Sequence, residues 1–511
     1  MTRREFLYGA PVAAWATQAG RSTPPNIVLI LADDMGFSDL GCYGSEIPTP
    51  NIDRLAKGGV RFTQFYNAAR CCPTRAALLT GLYPQQAGNG HMARNMGTPG
   101  YQGFLVDGSV TLGEAMRAAG YTTLMSGKWH VGAARPHWPV DRGFDESYAL
   151  PGSTSNYFRP RFLLRNDKEV EPPREGYYIT DDWTTQACAM LDRHAKGPRP
   201  FFLYLAYTAP HFPIQAPAED IARYRGKYKQ DWAGLRRARY QRMKELGIAD
   251  ETWPLSMPPP EVPAWESASN QDEWDLRMAV YAAMVDKLDQ GVGRVLAKLD
   301  ELGVTSNTLI LLLSDNGACA ETKKQGKPGA AIGTEDSHTT YEPPWANVSN
   351  TPFRYFKHWT YEGGIATPFI AQWPGKIAAG RIVRDVGHVI DVMPTLIDVA
   401  GGKYPQDRIP LEGRSLMPVL RSAARTLPTR ALFWEHEGNR AVREGSWKLV
   451  APYGKDWELY DLSKDRTETK NVAAAQPALV KKLSALYDAW AKRAGVLEWK
   501  PEWEEKFGIP Y

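Results

Sequence analysis

Cysteine is scarce in this sequence, which has five cysteines among 511 residues and no Cys-x-x-Cys pair. So small and scattered a set excludes a disulfide-stapled scaffold and argues against a structural zinc site. Neither sign of charge dominates, because 61 basic residues stand against 57 acidic residues and leave a net charge of +4. The concentrated basic face that nucleic-acid binding requires is therefore not expected.

Long apolar runs are also lacking, and no segment is long enough to cross a bilayer as a helix. At the N-terminus, Arg3 and Arg4 precede a short apolar run from Phe6 to Ala16. This order resembles a bacterial twin-arginine export signal. We predict a signal peptide over residues 1–22, no membrane span, and a periplasmic or secreted protein.

The sequence does contain strand-length apolar runs that end in polar or ionisable residues. Four of them span 26–34, 121–130, 201–211 and 307–317. Their continuous rather than alternating apolar character is typical of strands that are covered on both faces. An amphipathic helical pattern over 278–303 leads directly into the last run. We predict an α/β fold with a large mixed, mostly parallel sheet sandwiched by helices.

From about residue 428 the pattern changes to short strand-like runs joined by turns that contain glycine or asparagine. An amphipathic helix follows, and its apolar face is formed by Leu479, Leu483, Leu486 and Trp490. We predict a catalytic α/β domain over residues 23–427. A smaller C-terminal subdomain over 428–511 is predicted to combine an antiparallel sheet with that helix.

The ends of the predicted strands carry side chains that indicate chemistry. In open α/β sheets, ligands bind beyond the carboxyl ends of the strands. Those positions hold Asp33, Asp34, Lys128, His130, His211, Asp315 and Asn316. Adjacent carboxylates at a buried strand end repel each other unless a cation neutralises them. The oxygen donors suit a hard cation, Ca²⁺ or Mg²⁺, better than zinc, and the predicted ligands are Asp33, Asp34, Asp315 and Asn316.

The stretch ARCCPTRAALLTG, residues 69–81, places two of the cysteines side by side. We predict that Thr74 caps a helix ended by Gly81, so that Cys71 lies just ahead of a helix N-terminus that favours an anion. Arg75 adds a guanidinium group suited to a tetrahedral oxyanion. Three other interpretations compete: a strained vicinal disulfide, a buried apolar pair, or a phosphatase thiolate. Phosphatases place more residues between Cys and Arg than the three found here.

The order Cys-x-Pro-(Ser/Thr)-Arg before a helix ending in Thr-Gly resembles the active-site motif of type I sulfatases, in the alkaline-phosphatase superfamily. Further matches follow in the family's order: PNIVLILADDMGFSDLGCYG, GKWHVG, APHFPIQAP, LLLSDNGA and FKHWTYEGGIATPFI. Within that family the sequence is most similar to bacterial arylsulfatases. The resemblance implies hydrolysis of sulfate monoesters, with a small-molecule or saccharide sulfate ester as substrate.

The resemblance also implies a modification and a cofactor. Cys71 is expected to be converted to formylglycine by a formylglycine-generating or sulfatase-maturating enzyme. Pro73, Thr74 and Arg75 direct that enzyme, and Cys72 occupies a variable position. One divalent cation is expected at the four oxygen ligands, Ca²⁺ by resemblance, with Mg²⁺ as the alternative.

Roles for the remaining site residues also come from the resemblance. Lys128 is expected to anchor the nucleophile and the sulfate, and His130 is expected to act as a base. His211 and Lys357 are expected to hold the sulfate and to assist the leaving oxygen. Lys357 is assigned by alignment to Tyr-Glu-Gly-Gly.

Several alternatives stay open at this stage. Arg354 and His358 lie close enough to Lys357 in the sequence for the alignment to slip. Phosphonate and phosphodiester hydrolases share the cysteine motif, but they tend to have His where this chain has Asn316. An unmodified Cys71 would favour an anion-binding protein over an enzyme. The sequence does not distinguish an aryl sulfate from a carbohydrate sulfate, and it is silent on oligomeric state.

Some residues outside these motifs also carry predictions. His91 and the loop 332–350 are candidates to line the substrate pocket. His388 matches a family position at the start of a helix, and we interpret it as structural. The aromatic side chains of the C-terminal unit, such as Trp434, are predicted to pack between the two units.

Overall fold

A computed structural model describes residues 24–323, 326–500 and 502–503. The predicted signal peptide over residues 1–22 therefore lies outside the described residues. Among the helices of the described segments, none combines the length and the apolar character needed to cross a membrane.

The four apolar runs form strands, as predicted, and they are β1, β4, β8 and β9. The described strands are β1 (Asn26–Ala32), β2 (Val60–Phe62), β3 (Phe65–Tyr66), β4 (Thr122–Lys128), β5 (Glu146–Leu150), β6 (Leu163–Arg165), β7 (Lys168–Val170), β8 (Phe201–Ala206), β9 (Thr308–Ser314), β10 (Phe369–Gln372), β11 (Arg381–Val383), β12 (Gly387–His388), β13 (Ala431–His436), β14 (Asn439–Glu444), β15 (Trp447–Ala451) and β16 (Glu458–Asp461).

Helices alternate with these strands along the first three quarters of the chain, as expected for a doubly wound fold. The described α-helices are α1 (Pro50–Lys57), α2 (Cys71–Thr80), α3 (Pro84–Ala87), α4 (Leu112–Ala118), α5 (Ile179–His194), α6 (Ala218–Ala222), α7 (Trp232–Glu245), α8 (Gln271–Glu301), α9 (Glu342–Ser349), α10 (Glu362–Ile365), α11 (Val392–Ala400), α12 (Met417–Arg421) and α13 (Pro477–Ala494).

The main sheet has ten strands in the order β11-β2-β10-β9-β1-β8-β4-β5-β6-β7. Its centre is parallel, since β9, β1, β8, β4 and β5 pair in the same direction. Strand β10 runs antiparallel to both β9 and β2, and β6 runs antiparallel to β5 and β7. The predicted large mixed sheet with a parallel centre is therefore confirmed.

Strand β1 shows why the apolar runs are continuous. Val28 and Ile30 belong to a core that also contains buried residues of α1, α5 and α8. Ile27, Leu29 and Leu31 belong to a second core, which contains buried residues of α2, α4 and α11. Successive side chains of a strand point to opposite faces, so a strand covered on both sides needs apolar residues at every position.

The C-terminal strands β13 to β16 form a four-stranded antiparallel sheet, and α13 packs against β14 and β15. This confirms the predicted antiparallel sheet with a helix. Trp434 Nε1 donates to the carbonyl oxygen of Asn67 at 2.8 Å, which ties the sheet to the main body. Buried Lys448 adds ion pairs to Glu362 at 2.9 Å and Glu468 at 2.7 Å. The domain boundary at residue 428 stays a prediction.

Candidate active site

The chemistry-bearing residues meet at the carboxyl ends of the central parallel strands. Asp33 and Asp34 follow β1, Lys128 ends β4, and Asp315 follows β9. Because these strands run parallel as neighbours, their carboxyl ends lie at one edge of the sheet. The Asp34 backbone N–H donates to Asp315 Oδ1 at 3.2 Å across that edge.

Helix α2 brings the cysteines to this edge, but its start differs from the prediction. The helix begins at Cys71 itself, with Arg70 as the N-cap residue. Thr74 does not cap it, because the Thr74 hydroxyl accepts from the Ala68 backbone N–H at 2.9 Å instead. The helix ends as predicted at Gly81, whose φ of 70° suits a residue without a side chain.

Three cations and three carboxylates pack together as buried side chains, namely Arg75, Lys128, Lys357, Asp33, Asp34 and Asp315. Lys128 Nζ donates to Asp33 Oδ2 at 2.6 Å. Arg75 donates to Asp315 Oδ2 from Nε at 3.0 Å and from Nη2 at 2.8 Å. A further donation from Arg75 Nη1 reaches the Lys128 carbonyl at 2.9 Å. These contacts satisfy Asp33 Oδ2 and Asp315 and fix Arg75 in one orientation.

The second half of the site surrounds Asp34. Asn316 Nδ2 donates to Asp34 Oδ1 at 2.7 Å, and Lys357 Nζ lies 2.8 Å from the same oxygen. His211 Nε2 lies 3.4 Å from Asp34 Oδ2 and 3.3 Å from Lys357 Nζ. The His211 Nδ1–H donates to the Phe212 carbonyl oxygen at 2.5 Å, which leaves Nε2 as the acceptor.

Lys357, rather than either neighbouring basic residue, reaches this cluster. Arg354 Nη1 donates to the Glu468 carbonyl at 3.1 Å, away from the site. His358 Nδ1 pairs with Glu437 at 2.9 Å. The geometry therefore favours the alignment that assigns Lys357.

Burial and charge set the protonation of the two tandem aspartates in opposite directions. Burial, reinforced by Asp315, raises the pKa of Asp33 to about 7 against the opposing effect of Lys128. Burial also opposes ionisation of Asp34, but Lys357 and a hydrogen bond from Asn316 outweigh it and lower that pKa to about 2. Asp34 is therefore a charged carboxylate, whereas Asp33 lacks sufficient positive charge around it.

Two buried oxygens provide a direct test of whether a cation fits. Asp33 Oδ1 and Asn316 Oδ1 are buried and accept no hydrogen bond. Buried acceptors without a donor are costly, and a hard divalent cation binds such oxygens. Asp33 and Asp34 offer carboxylate oxygens within 4.8 Å of each other. The donor chemistry and the unpaired oxygens fit a cation at these residues.

The thiol of Cys71 lies in a different environment from that of Cys72. A hydrogen bond from Cys72, together with nearby Lys128 and His130, holds the pKa of Cys71 well below its usual range. Burial raises the pKa of Cys72 well above its usual range. Burial also lowers the pKa of His130 to about 4, so that its imidazole is neutral at neutral pH. All five cysteines are free in the structure, so the vicinal disulfide is not formed.

Of the other sequence candidates, the segment 332–350 approaches the site, because His338 lies against Phe212, whose ring stacks on His211. His91 is buried, and its Nε2 contacts Glu437 at 2.7 Å. His388 Nδ1 accepts from the Ile390 N–H at 3.2 Å, which agrees with a structural role at a helical start. Residues 332–350 are not one continuous loop, because α9 occupies Glu342–Ser349.

Glu321 belongs to the site, although no pattern in the sequence indicates it. Its Oε1 accepts from Arg70 Nη2 at 3.0 Å and lies 3.7 Å from Lys357 Nζ. Glu321 lies in an irregular segment after β9, where no periodicity or motif marks a site. Only its contacts with cations from distant parts of the chain identify it.

A buried thiol among three cations and three carboxylates, at the carboxyl edge of a largely parallel sheet, defines the class: an enzyme for anionic esters. A family model described as Sulfatase matches residues 25–402, and one described as N-sulphoglucosamine sulphohydrolase, C-terminal, matches residues 352–489. The chain belongs to the sulfatase family.

Known proteins agree with this assignment. The chain is 36% identical to an arylsulfatase of Klebsiella aerogenes over 76% of this chain and 89% of the relative. It is 31% identical to the N-acetylgalactosamine-6-sulfatase of Mus musculus over 89% of this chain and 77% of the relative. A solved structure titled "Crystal structure of Ps i-CgsB" is 28% identical with a TM-score of 0.71, covering 92% of this chain and 93% of that one. The protein is a sulfuric ester hydrolase, and hydrolysis of phosphonates or phosphodiesters is not favoured.

Proposed function

We propose that residue 71, as formylglycine, is the nucleophile that converts R–O–SO₃⁻ and water to R–OH and sulfate. The observation that carries this proposal is the position of Cys71 at the N-terminus of α2, buried beside Lys128 and His130. A formylglycine at this position supplies a hydrated aldehyde, with one hydroxyl for attack on sulfur and a second for release of sulfate.

Charge and proton transfer around residue 71 are assigned to three side chains. Arg75 and Lys128 are fully buried cations, and they bind sulfate oxygens and stabilise the charge that develops there. His130 lies within 4.8 Å of the sulfur of residue 71 and is the base. Its neutral imidazole at neutral pH can accept the proton of the second hydroxyl, whose oxygen becomes the aldehyde carbonyl as the bond to sulfate breaks.

His211 and Lys357 form the pair that assists the leaving oxygen. The Lys357 ammonium donates to His211 Nε2, whose other ring nitrogen is held by the Phe212 carbonyl. The pair carries one mobile proton for the departing alkoxide or phenoxide. This arrangement supports protonation of R–O⁻ as the S–O bond breaks.

The four oxygen-bearing residues are the proposed cation ligands, namely Asp33, Asp34, Asp315 and Asn316. The unpaired Oδ1 atoms of Asp33 and Asn316 support this assignment. When bound, a divalent cation supplies positive charge to a sulfate oxygen. Ligands that are oxygens alone suit either Ca²⁺ or Mg²⁺, and we propose Ca²⁺ on the resemblance to the sulfatase family, with Mg²⁺ as the alternative.

The substrate is proposed to be an aryl sulfate, with a carbohydrate sulfate as the second candidate. Similarity to an arylsulfatase supports the first, and similarity to an N-acetylgalactosamine-6-sulfatase supports the second. We further propose export to the periplasm or medium after a signal peptide over residues 1–22, and maturation by a formylglycine-generating enzyme. The catalytic and C-terminal units are proposed to span 23–427 and 428–511.

The first experiment combines mass spectrometry of the peptide containing residue 71 with turnover of 4-nitrophenyl sulfate. Protein matured with the modifying enzyme is expected to contain an aldehyde at residue 71 and to hydrolyse the ester. Cys71→Ala is expected to abolish turnover, whereas the matched control Cys72→Ala keeps both the aldehyde and the activity. Full activity with both thiols intact would contradict the proposal, as would faster turnover of a phenyl phosphonate monoester.

A further inference from the structure

Glu321 lies where three buried or partly buried cations converge beside the proposed leaving-group pair. It is 2% exposed. Its Oε1 accepts from Arg70 Nη2 at 3.0 Å and lies 3.7 Å from Lys357 Nζ, while its Oε2 lies 2.9 Å from Lys323 Nζ. Burial opposes ionisation, but these cations, Arg70 foremost, lower the pKa of Glu321 to about 2. The side chain is therefore a permanent carboxylate.

The contacts of Glu321 join separate parts of the site. Arg70 is the N-cap of α2 and directly precedes the proposed nucleophile. The Lys357 backbone N–H donates to the carbonyl of Ala318, which lies on the same segment as Glu321, at 3.0 Å. Glu321 therefore contacts both the start of the nucleophile helix and the side chain of Lys357.

Lys357 depends on its neighbours for orientation. A lysine ammonium on a flexible stem is positioned only by the groups it contacts. Its two anionic neighbours are Asp34 at 2.8 Å and Glu321 at 3.7 Å. Asp34 is a proposed cation ligand, so its negative charge is divided between Lys357 and the bound cation. Glu321 is not a proposed cation ligand, so a bound cation would not compete with Lys357 for its charge, which it shares with Arg70 and Lys323.

Charge alone does not explain a carboxylate at this position. A negative group near a site for an anionic ester weakens substrate binding through Coulomb repulsion. Its presence therefore requires a compensating contribution, and the geometry offers one in the orientation of Lys357. Three cations held around one carboxylate also repel each other less than they would without it.

We propose that Glu321 is a positioning residue, which holds Lys357 Nζ beside His211 so that the ammonium reaches the leaving oxygen. This inference rests on the proposed function, in which Lys357 and His211 deliver that proton. Glu321 itself does not touch the substrate or the reacting atoms. Its effect on the rate is exerted through Lys357.

The test replaces Glu321 with glutamine, which keeps the shape and one acceptor but removes the charge. Rates are measured on phenyl sulfates whose phenols differ in acidity, because a less acidic phenol needs the proton more. We expect Glu321→Gln to lower kcat about tenfold for the least acidic phenol and about twofold for 4-nitrophenol. KM is expected to change by less than about threefold, since the sulfate contacts remain.

A double-mutant cycle separates positioning from a general loss of structure. Lys357→Ala removes the group through which Glu321 acts, so adding Glu321→Gln should lower kcat no further. The matched control is Asp275→Asn, which changes a fully buried carboxylate held by Arg225 at 2.9 Å, outside the site. This control is expected to lose stability without changing the dependence on phenol acidity.

A second variant keeps the inference testable if Glu321→Gln does not fold. Glu321→Asp retains the charge at a shorter reach. As in Glu321→Gln, its loss of kcat is expected to be larger for less acidic phenols, but the loss should be smaller overall. The inference would be overturned if the losses of kcat in Glu321→Gln and Lys357→Ala were additive in the double variant. It would also be overturned if kcat of both Glu321 variants depended on phenol acidity as kcat of the wild type does. If the wild-type enzyme itself turned over no sulfate ester, the proposed function would fail instead.

Discussion

Replacing Lys128 with methionine tests whether the oxygens beside it hold a cation. Lys128 Nζ donates to Asp33 Oδ2 at 2.6 Å, and both side chains are buried. At about pH 9, well above the Asp33 pKa of about 7, removing one partner of this buried ion pair leaves an uncompensated charge and costs about 3–5 kcal/mol. With a chelator present, the variant is expected to lose about that much free energy of unfolding.

Calcium is expected to restore much of this loss. Without Lys128, the three carboxylates of the site outnumber the remaining cations, Arg75 and Lys357, so affinity for a cation increases. At free calcium about 100-fold above Kd, binding to the folded state adds about 2.7 kcal/mol. The unfolding midpoint of Lys128→Met should therefore rise more with calcium than that of the wild type.

Lys448→Met is the matched control. Lys448 is equally buried, and it pairs with Glu362 at 2.9 Å and Glu468 at 2.7 Å, far along the chain from the proposed cation ligands. It should lose similar stability with a chelator, and calcium should not restore it. Thermal unfolding with EDTA or excess calcium measures both variants without any need for activity. An equal response of the two variants to calcium would refute the assignment of Asp33 as a cation ligand.

Two further predictions concern stability. Gly127 has φ of 123°, and an added Cβ would lie 1.9 Å from the Ala206 carbonyl, so Gly127→Ala should cost about 2–4 kcal/mol by denaturant unfolding. Gly303→Ala, at φ 72° in open space, should cost only about 1 kcal/mol; equal losses would contradict the steric argument. Burial raises the pKa of Glu435 to about 7 despite a hydrogen bond from Tyr101, so the folded state holds a proton that the unfolded state releases. The free energy of unfolding of the wild type should therefore fall relative to that of Glu435→Gln as pH rises from about 4.5 to 7. A difference between the two proteins that stayed constant over this pH range would refute the prediction.

Local patterns in the sequence were sufficient for the fold class. The four apolar runs became central strands because a strand covered on both faces must be apolar throughout. The antiparallel C-terminal sheet followed from short runs separated by turn residues. The start of α2 was predicted wrongly, because Thr74 can bond either its own helix or the preceding loop, and sequence alone does not decide between them.

The sequence by itself determined which residue types stand at the strand ends and where the cysteine motif lies. Because the central strands run parallel, those ends could be expected to meet at one edge of the sheet. It also determined membership of the sulfatase family through motifs in order. Only the tertiary structure decided that Lys357, and not Arg354 or His358, reaches Asp34, and that Glu321 lies among the cations. Those contacts join residues far apart in the chain, so they depend on how loops pack, which no local pattern encodes.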